Sequence, residues 1–350
     1  MTASKPGNRN QPTRIIAPRT IPPHTIAVLG ANGRLSREVA RTFHRAGWHV
    51  IAITRSGQSA AFANLEGIEL RAADALDRQA LIAATAGADV IFNGLNPPYT
   101  DWAEKALPMA ENALAAAEKH HALHLFPGNV YNFGSALPES LTPQTPFRPD
   151  HRKAQIRCQM ETLFEQAAGS GRVKTVILRA GDFFGSDGTG SWFDLVIAKR
   201  AGKGIFTWPG KADILHAWAY LPDLAEAFVH LVKKADTLPG FSHFHFAGHN
   251  VSGLEMHAAA EKAMGQKLKH ASLPGFVLKI AGLFSPMMRE TSQVFYLWQK
   301  PHRMDGTALE DVIGPLPRTP LDHAVRDALK ALGHVGNRAA EPSALAVETA

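Results

Sequence analysis

From Ile26 onward, short β-branched runs alternate with stretches of helical periodicity, the pattern of parallel strands joined by crossover helices. Strands are expected at residues 26–29, 49–54, 67–71, 89–93, 123–126 and 174–178, and helices at 34–46, 77–86, 100–120 and 151–168. Right-handed crossovers turn that series into an α/β fold with a Rossmann-type, doubly wound parallel sheet. After Arg179 the pattern loosens, with 191–201 and 221–233 reading as helical and 214–220 and 241–246 as extended. Ser252 and Glu255 form a capping box that opens a helix running to about Met264, and Pro320 opens another that ends before Gly333. The expected organisation is a disordered basic leader (1–25), a dinucleotide-binding domain (26–180), a smaller C-terminal substrate-side lobe with closing helices (181–335) and a flexible tail (336–350).

Composition narrows the class. Of 350 residues, 45% are hydrophobic and 19% charged, which is ordinary globular usage and excludes disordered, collagen-like and disulfide-scaffold chains. The lone Cys158 has no internal disulfide partner, and with no secretory signal the expected location is a reducing cytoplasm. The net charge is +6, but Lys5, Arg9, Arg14 and Arg19 of the leader supply most of it, and no basic face with interleaved aromatics remains to bind nucleic acid. Five leader prolines block the amphipathic helix of a transit peptide. The most apolar stretch, 273–288, is broken by Lys279 and two prolines, so no transmembrane segment is expected. Core or cleft cover is its expected place; it could also form the seam of a homodimer or lie on a membrane surface. Trp192, Phe193, Trp208, Trp218 and Trp298 are expected to line an apolar pocket for a small hydrophobic or ring-bearing substrate.

The chemistry starts at Gly30-Ala31-Asn32-Gly33-Arg34-Leu35-Ser36, directly after a strand and opening a helix. Gly30 permits the tight turn and Gly33 the close approach of backbone to a pyrophosphate, whose charge the unpaired helix amides and dipole would hold. Ser36 stands where a third glycine is usual; it is small enough for close helix packing, and its hydroxyl could contact phosphate. No acid occurs between Glu38 and Glu66 to bind a ribose 2′-hydroxyl, whereas Arg55 follows the second strand. A guanidinium there, with Arg34 beside it, can fork onto a 2′-phosphate, so NADP(H) is expected in preference to NAD(H). The plainer reading of Arg55 is a solvated loop residue.

With this loop, Asp74 after the third strand, Val130-Tyr131 after the fifth and Leu178-Arg-Ala-Gly-Asp-Phe-Phe-Gly185 after the sixth, the chain resembles the extended short-chain dehydrogenase/reductase superfamily, and specifically proteins similar to NAD-dependent epimerase/dehydratases. The resemblance covers roughly 25–332. It implies that Asp74 lies near the adenine, that Gly94 to Asn96 line the cofactor, and that 178–184 form the wall where substrate meets nicotinamide. It also exposes departures. Active members carry a Ser or Thr before the Val-Tyr and a Tyr-x-x-x-Lys pair on the next helix; here Pro127, Lys153 and Arg157 stand at those positions. Tyr296 and Lys300 form the sole Tyr-x-x-x-Lys match and, lying far past the sheet, read as coincidence.

Hydride transfer needs a proton donor or acceptor beside the carbonyl, with a cation nearby. Lys153 and Arg157, four apart, share one helical face. Arg157 can polarise or bind an anion but not transfer a proton near neutrality, Lys153 could serve as general acid, and Tyr131 is the phenol nearest the expected site. Asn96, Asn129 and His151 are further polar candidates. His243, His245 and His249 lack a carboxylate or thiolate companion at ligand spacing, so no metal is expected. Two functions follow: an NADP(H)-dependent oxidoreductase or epimerase-like enzyme acting on a small carbonyl or sugar-like compound, or a non-catalytic NADP(H)-binding redox sensor.

Overall fold

The computed structural model describes residues 24–336 apart from 64 and 317, so nearly all of the expected leader and tail lies outside the described residues. The first half alternates as its periodicity requires: β1 Thr25–Leu29, α1 Arg34–Arg45, β2 His49–Thr54, β3 Ile68–Ala72, α2 Arg78–Ala84, β4 Val90–Asn93, α3 Trp102–His120, β5 Leu123–Gly128, the two-residue β6 Ser140–Leu141, α4 Arg152–Gly169 and β7 Thr175–Arg179. There follow β8 Asp182–Phe184, β9 Ile205–Pro209, β10 Leu215–Tyr220, α5 Leu221–Lys234, β11 Phe241–His245, β12 His249–Ser252, α6 Gly253–Met264 and β13 Lys269–Leu273. The chain closes with α7 Gly275–Phe284, α8 Pro286–Ser292, β14 Arg303–Met304, α9 Thr307–Ile313 and α10 Leu321–Ala331.

Seven strands make one parallel sheet in the order β11-β7-β5-β4-β1-β2-β3, and the order reverses at β1 and β4, where ligands bind in doubly wound sheets. Strand period two divides its residues between faces. Ala27, Leu29, Ile51, Ile53, Ile91 and Phe126 pack with α3 and α4 on one side; Ile26, Val28, Val50, Ala52, Phe92 and Leu125 pack with α1 and α5 on the other. Residues 26–180 supply six of the seven strands, with β3 at one edge, and β11 provides the other edge from beyond Gly181.

Local signals set several ends. Asp77 caps α2 through the amides of Gln79 and Ala80, and Ser252 and Glu255 form the expected reciprocal capping box on α6. Residues 191–201 depart from expectation: only a five-residue π turn at Phe193–Ile197 and a short 3-10 turn at Ala201–Lys203 form. The aromatic residues expected to line an open pocket instead make a third core. Trp208, Trp218, Trp298 and Phe193 are buried against one another, with Trp208 and Trp298 edge-to-face at 5.3 Å, because rings of this size bury more area on each other than a cleft wall would cover.

Candidate active site

The turn after β1 is shaped for a phosphate. Gly30 has φ +64°, and a Cβ there would stand 3.2 Å from the Gly94 carbonyl oxygen. Gly33 opens α1 in an extended conformation, and no side chain caps the first-turn amides. Asn32 is exposed at the tip, Leu35 is buried behind it, and no acid opposes an anion in the first turn. The residues present therefore fit a dinucleotide pyrophosphate.

Two expectations at this loop are corrected. Ser36 is buried, and its hydroxyl donates to the Leu29 carbonyl while filling the space beside Gly94, so it packs helix against sheet and has no phosphate to meet. The Arg34 guanidinium does not face the ribose. It pairs with Asp194 at 2.5 Å and donates to the Gly185 carbonyl, because the loop after β8 brings these acceptors to the start of α1. Asp194 is itself held by the amides of Gly190 and Ser191. Arg55 behaves differently: it is exposed past the end of β2 and makes no side-chain hydrogen bond or ion pair among the described residues. Asp74 is exposed beyond β3, where its carboxylate accepts from the Leu76 amide, and Asn96 is exposed in the loop after β4.

Beyond β4 and β5 lies a cluster of phenols and cations. Tyr131, nearly buried after β5, has its hydroxyl 2.5 Å from that of Tyr99, which precedes α3. Burial raises both phenols above their ordinary range, Tyr131 the further, so both stay protonated at neutral pH. Arg157 of α4 lies beneath, its guanidinium between the rings of Trp102 and Phe126 at 5.1 and 5.0 Å, donating to the Pro127 carbonyl at 3.3 Å. Burial pulls Arg157 below its ordinary value, and Glu161 opposes the shift.

Lys153 points toward the same space, its ammonium 5.0 Å from the centre of the Tyr99 ring, but it is bound to the Glu290 carboxylate and to the Glu290 carbonyl at 3.0 Å. Burial lowers its pKa while Glu290 raises it. The expected general acid is thus engaged by α8, a segment whose position sequence spacing did not reveal.

Tyr99, Tyr296 and His216 join the site although the sequence reading did not place them there, beside His151, an expected polar candidate, and Asp182 of the expected 178–184 wall. His151 caps α4 by accepting the Ala154 amide on Nδ1, so Nε2 carries the proton and donates to the Tyr296 hydroxyl at 3.3 Å. Tyr296 therefore reaches the cleft although Lys300, its would-be partner, is exposed. Asp182, on the wall after β7, accepts from His216 at 2.7 Å, and His216 stacks on Trp298 with centroids 4.2 Å apart. Tyr296 is marked in the sequence only by its Tyr-x-x-x-Lys match, and nothing in the spacing marks Tyr99 or His216. Asn129 shapes the turn instead, accepting the Tyr131 amide, while its carbonyl takes a hydrogen bond from Arg179. Below the turn Arg179 and Glu161 form a fully buried pair at 2.7 Å, and Asn132 donates to the other carboxylate oxygen.

A sheet reversal at β1 and β4, a glycine turn opening α1 and a proton-bearing cluster beyond β5 define a dinucleotide-binding α/β protein. The sequence model of the NAD dependent epimerase/dehydratase family matches residues 26–245, and the chain belongs to that family. Family and fold are those of nicotinamide-dependent enzymes. No curated protein sequence matches the chain. Among solved structures, the Bacillus cereus UDP-glucuronic acid 4-epimerase in complex with NAD is similar over 88% of this chain and 98% of its own, with TM-score 0.71 at 14% identity. The Bordetella bronchiseptica enzyme WbmH in complex with NAD+ is similar over 89% and 98%, with TM-score 0.69 at 16% identity. The Bifidobacterium longum UDP-glucose 4-epimerase in complex with NAD+ and UDP is similar over 88% and 98%, with TM-score 0.69 at 16% identity. At these identities the likeness is one of fold. No helix among the described residues is long and apolar enough to cross a membrane.

Proposed function

We propose that this chain is an NADP(H)-dependent oxidoreductase that moves hydride between the nicotinamide and a small carbonyl or sugar-like substrate, with the Tyr131 phenol in place of the missing Tyr-x-x-x-Lys pair. The observation that carries this reading is the Tyr99–Tyr131 hydroxyl pair set beside buried Arg157. When bound, the dinucleotide supplies or takes the hydride, and the protein's task is to position it and to move a proton. Gly30, Asn32, Gly33 and the first turn of α1 hold the pyrophosphate. Asp74 and Asn96 flank the cofactor, and Arg55 meets a 2′-phosphate.

A phenol held protonated is a donor. Tyr131 gives its proton to the oxygen that gains charge as a carbonyl is reduced, Tyr99 replaces that proton along their hydrogen bond, Arg157 stabilises the transient phenolate, and solvent returns a proton to Tyr99 to close the cycle. At neutral pH the pair is in the protonated form that carbonyl reduction requires. That structurally similar proteins are UDP-sugar epimerases supports a polyhydroxylated substrate.

The second reading, a non-catalytic NADP(H)-binding sensor, draws on the engagement of Lys153 by Glu290. Purified protein incubated with NADPH and a panel of aldehydes, ketones and keto-sugars decides between them. Loss of nicotinamide absorbance with at least one compound is expected, and binding of NADPH without consumption across the panel would overturn the enzymatic reading.

A further inference from the structure

Helix α7 was expected to cover core or cleft, and only one side of it does. Leu278 and Gly282 are buried against the body, whereas Phe276 (63%), Ile280 (55%), Leu283 (78%) and Phe284 (87%) are exposed, joined by Val277 and by Met287 of α8. At 3.6 residues per turn Phe276, Ile280, Leu283 and Phe284 fall on the side of the helix opposite Leu278, so its outermost stripe is apolar, the reverse of a surface helix in water. Among the described residues nothing packs over that stripe.

Charge identifies the occupant. Between residues 274 and 292 the cations are Lys279 and Arg289, both exposed, and the only acid is Glu290, which is turned inward onto Lys153. The outward face therefore presents apolar side chains with cations on the flank and no anion. A second copy seated on the same face would bury Lys279 and Arg289 with no acid on it to answer them. An interface of acyl chains beneath anionic headgroups satisfies both features, the rings entering the hydrocarbon boundary and the cations staying at headgroup level.

We propose that the α7–α8 hairpin seats the protein on the surface of an anionic lipid bilayer. Because α8 also contacts the 3-10 turn at Tyr99–Asp101 and holds Lys153, the seated face adjoins the phenol cleft. The inference is independent of the redox chemistry assigned above.

Co-sedimentation of the full chain with vesicles tests it, using phosphatidylcholine alone and phosphatidylcholine mixed with phosphatidylglycerol. Binding is expected on the mixed vesicles, several-fold weaker on the neutral ones, and weakened by salt. Leu283→Ser with Phe284→Ser should reduce it by more than about tenfold, and Lys279→Gln or Arg289→Gln by about fivefold each. These side chains are exposed, so thermal unfolding should be unchanged and will expose any variant that fails to fold. Absence of binding to the mixed vesicles, or equal binding to both, overturns the proposal. So does a dimer in sedimentation equilibrium that Phe284→Ser dissociates in a chain that binds no vesicle.

Discussion

The hydroxyl of Tyr99 lies 2.5 Å from that of Tyr131, although the two residues come from different connections of the sheet, one after β4 and one after β5. Their common burial keeps both protons in place, and Arg157 of a third element lies beneath them. A donor pair assembled from separate loops can be dismantled one hydroxyl at a time.

Tyr131→Phe should lower kcat for carbonyl reduction by about a hundredfold or more, the usual range for losing a positioned proton donor. It removes one hydrogen bond, so the stability loss should stay near 1 kcal/mol. Tyr99→Phe should cost less activity, since a donor remains. Stopped-flow traces of NADPH oxidation report both, and equal, small losses would remove the proton-donor role. Since both phenols titrate above their ordinary value of 10.0, the reduction rate should show no phenol-dependent fall between neutrality and that pH.

Arg55→Glu should weaken NADPH binding by roughly tenfold to a hundredfold, the worth of a charge-assisted contact, and leave NADH binding nearly unchanged. Calorimetric titration of each coenzyme gives the ratio. A parallel loss for both would show that Arg55 does not read the 2′-phosphate.

The Rossmann half was largely legible in the sequence, and the reason is local. Each expected strand and helix from 26 to 178 lies within a few residues of an observed one, because periodicity, the Asp77 cap and the glycine turns act over a handful of neighbours. At the candidate site the glycine turn of Gly30 and Gly33 is read from local spacing, and Tyr131 and Arg157 are named through the family resemblance. The rest depends on partners far along the chain: Arg34 meets Asp194, Lys153 meets Glu290, and Tyr296 meets His151. Nothing in the spacing around those residues encodes the meeting. The aromatic residues after Trp192 misled for a related reason, since the same rings serve a ligand wall or a core and only tertiary packing chooses.

The pair of Arg179 and Glu161 is buried to nearly full extent, and removal of either charge strands the other away from water. Glu161→Ala should cost about 3–5 kcal/mol, and Arg179→Met a similar amount. The double variant should cost clearly less than their sum, as urea denaturation midpoints will show. Additive losses would mean that the charges do not act as a pair.

His124, His245 and His302 are buried, and burial holds each at a pKa of about 3 against an ordinary 6.5. The native protein keeps these rings neutral, whereas the unfolded chain takes up protons below about 6.5. Stability is thus fully present above that pH and declines below it, approaching about 4 kcal/mol per pH unit for the three together. Thermal midpoints measured from neutrality down to pH about 5 should fall on this account, and His302→Asn should reduce the slope by about a third. A slope unaltered by that substitution would assign the acid sensitivity elsewhere.

Arg34 belongs to both parts of the molecule. Its main chain starts the coil proposed to face the coenzyme, while its guanidinium, with Arg37 and Arg41 on the Asp187 carbonyl and carboxylate, clasps the loop on the far side. Pulling the two parts open would leave an arginine and an aspartate, now 10% and 2% accessible, each without its counter-ion. The cleft is therefore expected to keep a set width and to admit its guest as a slot does, rather than shutting on it like a pair of jaws.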